Sequence, residues 1–515
     1  MARCCNSQAS SLPEVRTAAG IVRGRLVATP DGDARAFLGI PYAVADRRFL
    51  PASPVEPWGG VRDVQRAGPP APQRADDGSV LGDEAGCLTV NVWSPAPEDA
   101  DRPVMVWIHG GLHVVGSNSS PVTDGAPFAA RTGTVVVAVG HRLGALGFLT
   151  LDHLLGDAYA DSANAALHDV VAALRWVRSE IRAFGGDPER VTLAGQSAGA
   201  TTVAMLLAAR PAAGLFQRAM LHSAAPERVG DRRYGEAVTT QLLELLGMST
   251  QPQRILDAPW AQVVHAQSAL LDRRSVGAAS TVAVFRASVD GRMLERPPIE
   301  AIRSGASRSV ALVVGTNVNE ASGAVDLHAA DSVALRALLD RQLSTLLPAW
   351  PDRTRRSRSA AYREALRRDL GRAPTDAEAL EAAVADDVYR QPSQRLLDAR
   401  AHAAGSTRAF LFSWRRADDD ARGAAHSSEL PFLFRSLDLP EVTTEVGDSP
   451  PRSLSDRMGD RWASFIDSGD AGDDWPEWNP QTRSTLVLDE DESTVQDPKA
   501  NVRSLVAAVA NDNRS

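Results

Sequence analysis

Residues 191–199 read Val-Thr-Leu-Ala-Gly-Gln-Ser-Ala-Gly, and our prediction of the fold starts from this stretch. Its first four residues are a short, largely apolar run typical of a buried strand, and residues 198–210 have a helical composition. Gly-x-Ser-x-Gly between a strand and a helix is typical of a sharp, strained turn that lifts the serine hydroxyl clear of the backbone. The same five letters also occur by chance, so it is their position that supports the prediction of Ser197 as a nucleophile.

Three other apolar runs with turn residues at their carboxyl ends predict further buried strands, at 104–108, 135–139 and 310–314. Apolar residues recur every three or four positions over 167–181, which predicts an amphipathic helix. A strand, a helix and a strand in this order form a βαβ unit, from which parallel sheets are built. The predicted fold class is therefore α/β, with a mostly parallel central sheet flanked by helices.

The domain organisation follows from the rest of the chain. Residues 1–16 are polar, and we predict that they are disordered. Residues 17–515 show no internal repeat and are predicted to form a single domain. Two Ala-, Leu- and Arg-rich stretches of helical pattern, at about 226–280 and 330–400, interrupt the series of strands. We interpret them as helical cap insertions over the sheet.

Composition and charge argue against several kinds of partner. The net charge is -9 with no basic stripe, so we expect no nucleic acid. A run of about 18 apolar residues is absent, so we expect no membrane span. The cysteines Cys4, Cys5 and Cys87 make no disulfide framework, and the N-terminus has no apolar signal region, which together favour the cytoplasm. The histidine spacings match no metal site, so we expect neither a metal nor a cofactor.

Acyl transfer by a serine needs donors for the oxyanion, and a base oriented by an acid. His109-Gly-Gly follows the predicted strand 104–108, and its glycines allow backbone N–H groups to turn inward. The best candidate acid is Glu320, directly after the strand at 310–314, and the best base is His426 further along the chain. Asp290 is an alternative acid, although Asp-Gly is more typical of a turn.

Together these motifs resemble the type-B carboxylesterase family, over about residues 17–498. Five further segments carry the resemblance: Phe37-Leu-Gly-Ile-Pro-Tyr-Ala, Cys87-Leu-Thr-Val-Asn-Val-Trp, His141-Arg-Leu-Gly-Ala-Leu-Gly-Phe, Phe184-Gly-Gly-Asp-Pro and Val289-Asp-Gly. The resemblance implies an α/β-hydrolase fold and an ion pair between Arg142 and Asp169. It also implies two sets of site residues: a catalytic triad of Ser197, Glu320 and His426, and oxyanion N–H groups on Gly111, Leu112 and Ala198.

The departures from the family pattern concern the site. Gln196 stands where the family usually has Glu, so we expect His426 to be a weaker base than in relatives. Leu112 stands where Gly or Ala is common, and we expect it to disfavour crowded tertiary-alcohol esters. Gln196 and His113 are candidates for the substrate pocket, although His113 is more typical of a hydrogen-bonded loop histidine. Cys87 lacks its usual family partner, because Ala71 occupies that position.

The function that the resemblance implies is a serine carboxylesterase, with a small-molecule ester and water as substrates. The same machinery acting on carbamates, amides or thioesters is the nearer alternative. A non-catalytic binding protein is the more distant one, since such relatives typically lose the nucleophile or the base. The sequence leaves the acyl and alcohol preference and the oligomeric state open.

Overall fold

The protein is described by a computed structural model that covers residues 12–96, 101–275, 283–350, 357–417 and 422–512. The strands are β1 (Glu14–Arg16), β2 (Ile21–Arg23), β3 (Arg25–Thr29), β4 (Gly32–Pro41), β5 (Val61–Asp63), β6 (Gln73–Arg74), β7 (Val80–Leu81), β8 (Thr89–Pro95), β9 (Arg102–Ile108), β10 (Val135–Val139), β11 (Gly186–Gln196), β12 (Arg218–His222), β13 (Ala311–Asn317), β14 (Thr407–Phe412), β15 (Ser484–Leu488) and β16 (Ser493–Gln496).

Among the described residues, one large sheet dominates, with eleven strands in the order β16-β15-β14-β13-β12-β11-β9-β10-β8-β4-β3. The strands from β15 to β10 in this order all run parallel. Antiparallel strands complete both edges: β8, β4 and β3 on one side and β16 on the other. The predicted α/β class with a mostly parallel sheet is confirmed.

The central strands are apolar on both faces because both faces are covered. Along β9, Val104, Val106 and Ile108 pack into one buried cluster, while Met105 and Trp107 pack into another on the opposite face. This alternation follows from the two-residue period of a strand. Burial on both faces explains why these strands read as continuous apolar runs.

Helices surround the sheet. They are α1 (Gly125–Thr132), α2 (Gly144–Phe148), α3 (Asp152–Leu155), α4 (Ala165–Glu180), α5 (Ala198–Ala208), α6 (Arg232–Leu246), α7 (Trp260–Ser275), α8 (Pro298–Arg303), α9 (Val333–Leu346), α10 (Arg358–Leu370), α11 (Asp376–Ala385), α12 (Gln391–Ala399), α13 (Leu430–Leu433), α14 (Thr443–Val446), α15 (Arg452–Ser468) and α16 (Ala500–Asp512). Within the described residues, no helix is long and apolar enough to cross a membrane.

The helix predicted over 167–181 is confirmed as α4. Helices α6 and α7 lie in the stretch predicted as the first insertion, and α9 to α12 lie in the second. The second set has its own buried cluster, which includes Leu339, Tyr362 and Leu380. Between α11 and α12 the chain makes one π-helical turn, Asp386–Arg390. The division into one domain with two cap insertions stays a prediction.

Two features differ from the sequence-based expectation. Glu14–Arg16 forms a strand paired with Ile21–Arg23, so the predicted disordered segment 1–16 extends too far. Its residues 1–11, which include Cys4 and Cys5, lie outside the described part of the chain. Strand β12 escaped prediction because Arg218 and His222 at its ends leave an apolar run of only Ala-Met-Leu. It lies at the centre of the sheet, between β11 and β13.

The strand order places the site. Strand β9 lies between β10 and β11. The chain therefore continues from β9 to β10 on one side and later returns to form β11 on the other side. At such a switch point the loops after two neighbouring strands diverge and leave a crevice at the carboxyl ends. The loop after β9 begins at His109, and the turn after β11 holds Ser197.

Candidate active site

Ser197 lies at the turn from β11 into α5 in a strained backbone conformation. Its φ is 56° and its ψ is -122°, a region that side-chain-bearing residues rarely adopt and that costs about 1–3 kcal/mol. The flanking glycines make the turn possible. A Cβ on Gly199 would lie 2.0 Å from the carbonyl oxygen of Ile108, and one on Gly195 would lie 2.6 Å from the carbonyl carbon of Gly199. The glycines therefore allow the turn to pack against the end of β9.

The candidate base and acid form a direct hydrogen bond. His426 Nδ1 lies 2.6 Å from Glu320 Oε2. The other oxygen, Glu320 Oε1, accepts hydrogen bonds from the Ser223 hydroxyl at 2.6 Å and from the backbone N–H of Asn317 at 2.7 Å. Glu320 is only 4% exposed, so these donors replace its lost hydration. They orient the carboxylate so that it accepts a hydrogen bond from Nδ1–H of the imidazole.

The groups around His426 raise the pKa of its imidazole. Burial lowers the pKa of His426, but the hydrogen bond and the charge of Glu320 raise it, as does the charge of Glu429, and the pKa lies above its usual value. Glu429 is fully buried and lies 3.4 Å from His222 Nδ1. Burial raises the pKa of Glu429, but the neighbouring His222 ring and a hydrogen bond from Asn317 lower it below its usual value. A second carboxylate therefore supports positive charge on His426.

Gln196 contacts the ring nitrogen that faces away from Glu320. Its amide Nε2 lies 3.1 Å from His426 Nε2, and the residue is only 3% exposed. With the Nδ1 proton directed to Glu320, Nε2 carries the lone pair, and this hydrogen-bond network assigns the amide as donor. The amide therefore bonds the same nitrogen that would accept the proton of Ser197.

The predicted oxyanion donors surround the Ser197 turn. Leu112 and His113 both have positive φ, 56° and 61°, as the loop after β9 folds back on itself. Leu112 and Ala198 line the same cavity as Ser197. Throughout the described residues, the backbone N–H groups of Gly111, Leu112 and Ala198 have no hydrogen-bond acceptor. They are therefore available to an oxygen atom of a substrate.

His113 stabilises this loop. Its Nε2 lies 3.0 Å from the carbonyl oxygen of Ala198 and 3.0 Å from the hydroxyl of Thr202. Burial lowers the pKa of His113 to about 4, so the ring is neutral. The residue also lines the cavity beside Ser197, but its ring nitrogen is already hydrogen bonded. This geometry agrees with a loop histidine that connects the β9 loop to α5.

Two cavities meet at Tyr389, which lies on the π-helical turn. One borders Ser197, and the other borders Glu320 and His426. The Tyr389 ring stacks on the His426 ring with centroids 4.7 Å apart and an interplanar angle of 28°. Burial raises the pKa of Tyr389 above its usual range, so its phenol keeps its proton. Tyr389 therefore separates the space beside the nucleophile from the space beside the base.

The structure thus brings together Ser197, Glu320, His426 and the predicted oxyanion loop. It does not bring Asp290 to them, because Asp290 accepts hydrogen bonds from the backbone of Arg292 and Leu294 within a turn. Several site residues escaped the sequence analysis: Ser223, Asn317, Glu429, Tyr389 and Arg228. Ser223 follows one strand and Asn317 ends another, at the same sheet edge as Ser197. This signal was readable for Asn317, which lies three residues after the predicted strand 310–314.

Other implications of the resemblance concern the structural core. The ion pair is confirmed: Arg142 Nη2 lies 2.6 Å from Asp169 Oδ1, and both side chains are 1% exposed or less. Cys87 is a free, buried cysteine, and burial raises the pKa of its thiol. No group of three or more His, Cys, Asp or Glu side chains in the described ranges is placed to hold a metal ion.

Comparisons with known proteins show the family of this chain. The sequence profile of the Carboxylesterase family matches residues 11–505. The chain belongs to the carboxylesterase family. A para-nitrobenzyl esterase of Bacillus subtilis is 32% identical over 501 residues, 93% of this chain and 96% of the relative. A phenmedipham hydrolase of Pseudarthrobacter oxydans is 31% identical over 482 residues, 89% of this chain and 92% of the relative.

Solved structures of this family have the same fold. A PNB esterase superposes with a TM-score of 0.83 at 29% identity, covering 96% of this chain and 99% of the other. The α/β-hydrolase fold is therefore confirmed. This carboxylesterase is a carboxylic-ester hydrolase, as predicted.

Proposed function

We propose that this carboxylesterase cleaves its substrates in two acyl-transfer steps, with Ser197 as nucleophile, His426 as base and Glu320 as the acid that orients it. The observation that carries the proposal is the 2.6 Å contact between His426 and Glu320 at the edge where the strained turn presents Ser197. A serine, a histidine and a carboxylate in these roles are the recurring machinery of acyl transfer.

In the first step the Ser197 oxygen attacks the ester carbonyl carbon while His426 Nε2 takes its proton. The carbonyl oxygen becomes an oxyanion, and the free N–H groups of Gly111, Leu112 and Ala198 stabilise it. Each such donor lowers the barrier by about 3 kcal/mol. The alcohol leaves with the proton from His426, and water then hydrolyses the acyl-enzyme by the same route.

The resting contact of Gln196 with His426 Nε2 is part of this scheme. Ser197 and Gln196 compete for one lone pair, so the amide releases Nε2 when the serine proton is transferred. When the imidazole becomes protonated, it needs an acceptor rather than a donor at this position, and the family's usual Glu would supply a negative charge there. We infer that Gln196 makes His426 a weaker base than a Glu would.

Ester hydrolysis and amide hydrolysis differ in the leaving group. Turnover of a matched pair, such as p-nitrophenyl butyrate and butyryl p-nitroanilide, separates esterase from amidase activity. We expect the ester to react far faster, because the amine leaving group is much poorer than an alcohol. We further infer a cytoplasmic location, which the unpaired, buried Cys87 supports.

Covalent labelling tests the nucleophile. A fluorophosphonate probe should label the wild-type chain at Ser197, and Ser197→Ala should abolish the labelling and the esterase activity. Ser119→Ala, which removes an exposed hydroxyl, serves as the matched control and should keep both. A wild-type chain without labelling would favour the non-catalytic binding protein and would contradict the proposal.

A further inference from the structure

The cavity beside Ser197 has an apolar wall with one permanent charge. Its described lining includes Leu112, Ala225, Val388 and Tyr389, and the guanidinium of Arg228 is the only permanently charged group among them. A long cationic side chain at an otherwise apolar wall is costly unless an anion compensates it. The partners of Arg228 therefore decide what this cavity can bind.

Arg228 has a weak protein partner. Its Nη2 lies 3.4 Å from Asp387 Oδ2, a single contact rather than a bidentate pair. Arg228 offers five N–H donors in a planar fork, and the described residues provide a side-chain acceptor for one of them. Its side chain is 24% exposed, so the fork is not enclosed by protein. Donors therefore remain for an additional anion.

The surrounding charges do not cancel the positive charge. Asp387 also accepts a hydrogen bond from Gln342 at 3.0 Å, so its charge is shared between two donors. Another arginine, Arg286, interacts electrostatically with Arg228 and lies 3.7 Å from the ring of Tyr234. The acid next to Arg228 in sequence, Glu227, is engaged by Arg395. Arg228 and Arg286 together thus carry two positive charges against the one negative charge of Asp387.

The positions of the two cavities assign this wall to the acyl part of a substrate. The leaving alcohol takes its proton from His426, so it lies on the side of the cavity that borders His426 and Glu320. The cavity with Arg228 borders Ser197 and the oxyanion residues Leu112 and Ala198 instead. The chain attached to the carbonyl carbon therefore extends toward Arg228.

We propose that Arg228 binds a carboxylate on the acyl chain, so that the preferred substrates are monoesters of dicarboxylic acids. This inference rests on the proposed function, because it assumes that Ser197 is the acylated residue. A carboxylate can accept two parallel hydrogen bonds from a guanidinium, which gives both affinity and orientation. The apolar wall formed by Ala225 and Val388 would contact the methylene groups between the two carboxyl carbons.

The test compares matched pairs of methyl esters by methanol release. The pairs are methyl hydrogen succinate with methyl butanoate, methyl hydrogen glutarate with methyl pentanoate, and methyl hydrogen adipate with methyl hexanoate. In the wild type we expect kcat/KM for the anionic ester to exceed that of its neutral partner by about tenfold at one or more lengths. A hydrogen bond to a charged group strengthens binding by about a factor of ten or more.

Arg228→Met should reduce the anionic-to-neutral ratio by at least about tenfold, and Arg228→Lys should reduce it less because the charge remains. Arg452→Met is the matched control, since it removes the same charge from an exposed pair with Asp438 and should leave the ratio unchanged. The neutral ester is the internal reference for each variant. If Arg228→Met loses both activities, the anionic-to-neutral ratio of Arg228→Lys is the test. A ratio below that of the wild type supports the role of Arg228, and an unchanged ratio contradicts it.

Three outcomes are distinct. A wild type that cleaves the neutral esters but shows no preference for any anionic one overturns the role of Arg228 and leaves the proposed function intact. Equal anionic-to-neutral ratios in Arg228→Met and the wild type also overturn the role of Arg228 and leave the proposed function intact. A wild type that cleaves neither member of any pair, and that a fluorophosphonate does not label, overturns the proposed function itself.

Discussion

The contact between Gln196 and His426 allows a quantitative prediction. Replacing the amide by a carboxylate in Gln196→Glu places a negative charge about 3.1 Å from His426 Nε2. An opposite charge within about 4–6 Å shifts a pKa by roughly 1–3 units. Gln196 is only 3% exposed, so solvent screens the new charge little. Burial also raises the pKa of the new carboxyl group, which offsets part of the effect, and we expect the pKa of His426 to rise by about 1–2 units.

The direction of the effect on activity follows from the role of the base. His426 accepts a proton only when it is neutral, so kcat/KM falls as the pH drops through the pKa of His426 in the free enzyme. A higher pKa moves this acidic limb to higher pH. At a pH one unit below the wild-type pKa, Gln196→Glu should therefore lose about 100- to 1000-fold in kcat/KM relative to its own plateau, whereas the wild type loses about tenfold.

The assay is the pH profile of kcat/KM for p-nitrophenyl butyrate, with two controls. Gln251→Glu adds the same charge at an exposed position and should leave the profile unmoved. Gln196→Met removes the hydrogen bond without adding charge, and should shift the limb upward by less than Gln196→Glu. An acidic limb that stays at the same pH in Gln196→Glu would refute the inference that residue 196 acts on the pKa of His426.

Three other predictions test the site and the core. Glu320→Gln should lower kcat by about 10³- to 10⁴-fold in steady-state assays with an unchanged circular dichroism spectrum, because the imidazole loses its orienting charge; near-normal activity would move the role to another carboxylate. Arg142→Met should lower the free energy of unfolding by about 3–5 kcal/mol in urea titrations, because Asp169 is left buried and unpaired, whereas Arg452→Met should cost at most about 1 kcal/mol. Leu112→Gly should raise the turnover of tert-butyl acetate relative to n-butyl acetate, since it removes the side chain beside Ser197; an unchanged ratio would contradict a steric role for Leu112.

Local patterns were sufficient for the elements that carry the chemistry. The apolar runs at 104–108 and 135–139 predicted β9 and β10, and the small residues around Ser197 predicted the turn into α5. Strand β12 was missed because its neighbours in the sheet, rather than its own short apolar run, hold it in place. The strand at Glu14–Arg16 was missed because its partner Ile21–Arg23 stabilises it.

The sequence by itself determined the nucleophile turn, the α/β class and the candidates Glu320 and His426, because each depends on residues a few positions apart or on chain order. Only the tertiary structure decided that the Gln196 amide bonds His426 across 230 positions, and that Tyr389 stacks on the same ring. It also decided that Arg228 faces the cavity beside Ser197. The physical reason is that strand and turn patterns specify the local backbone, whereas the meeting of distant side chains depends on how the helices pack over the sheet.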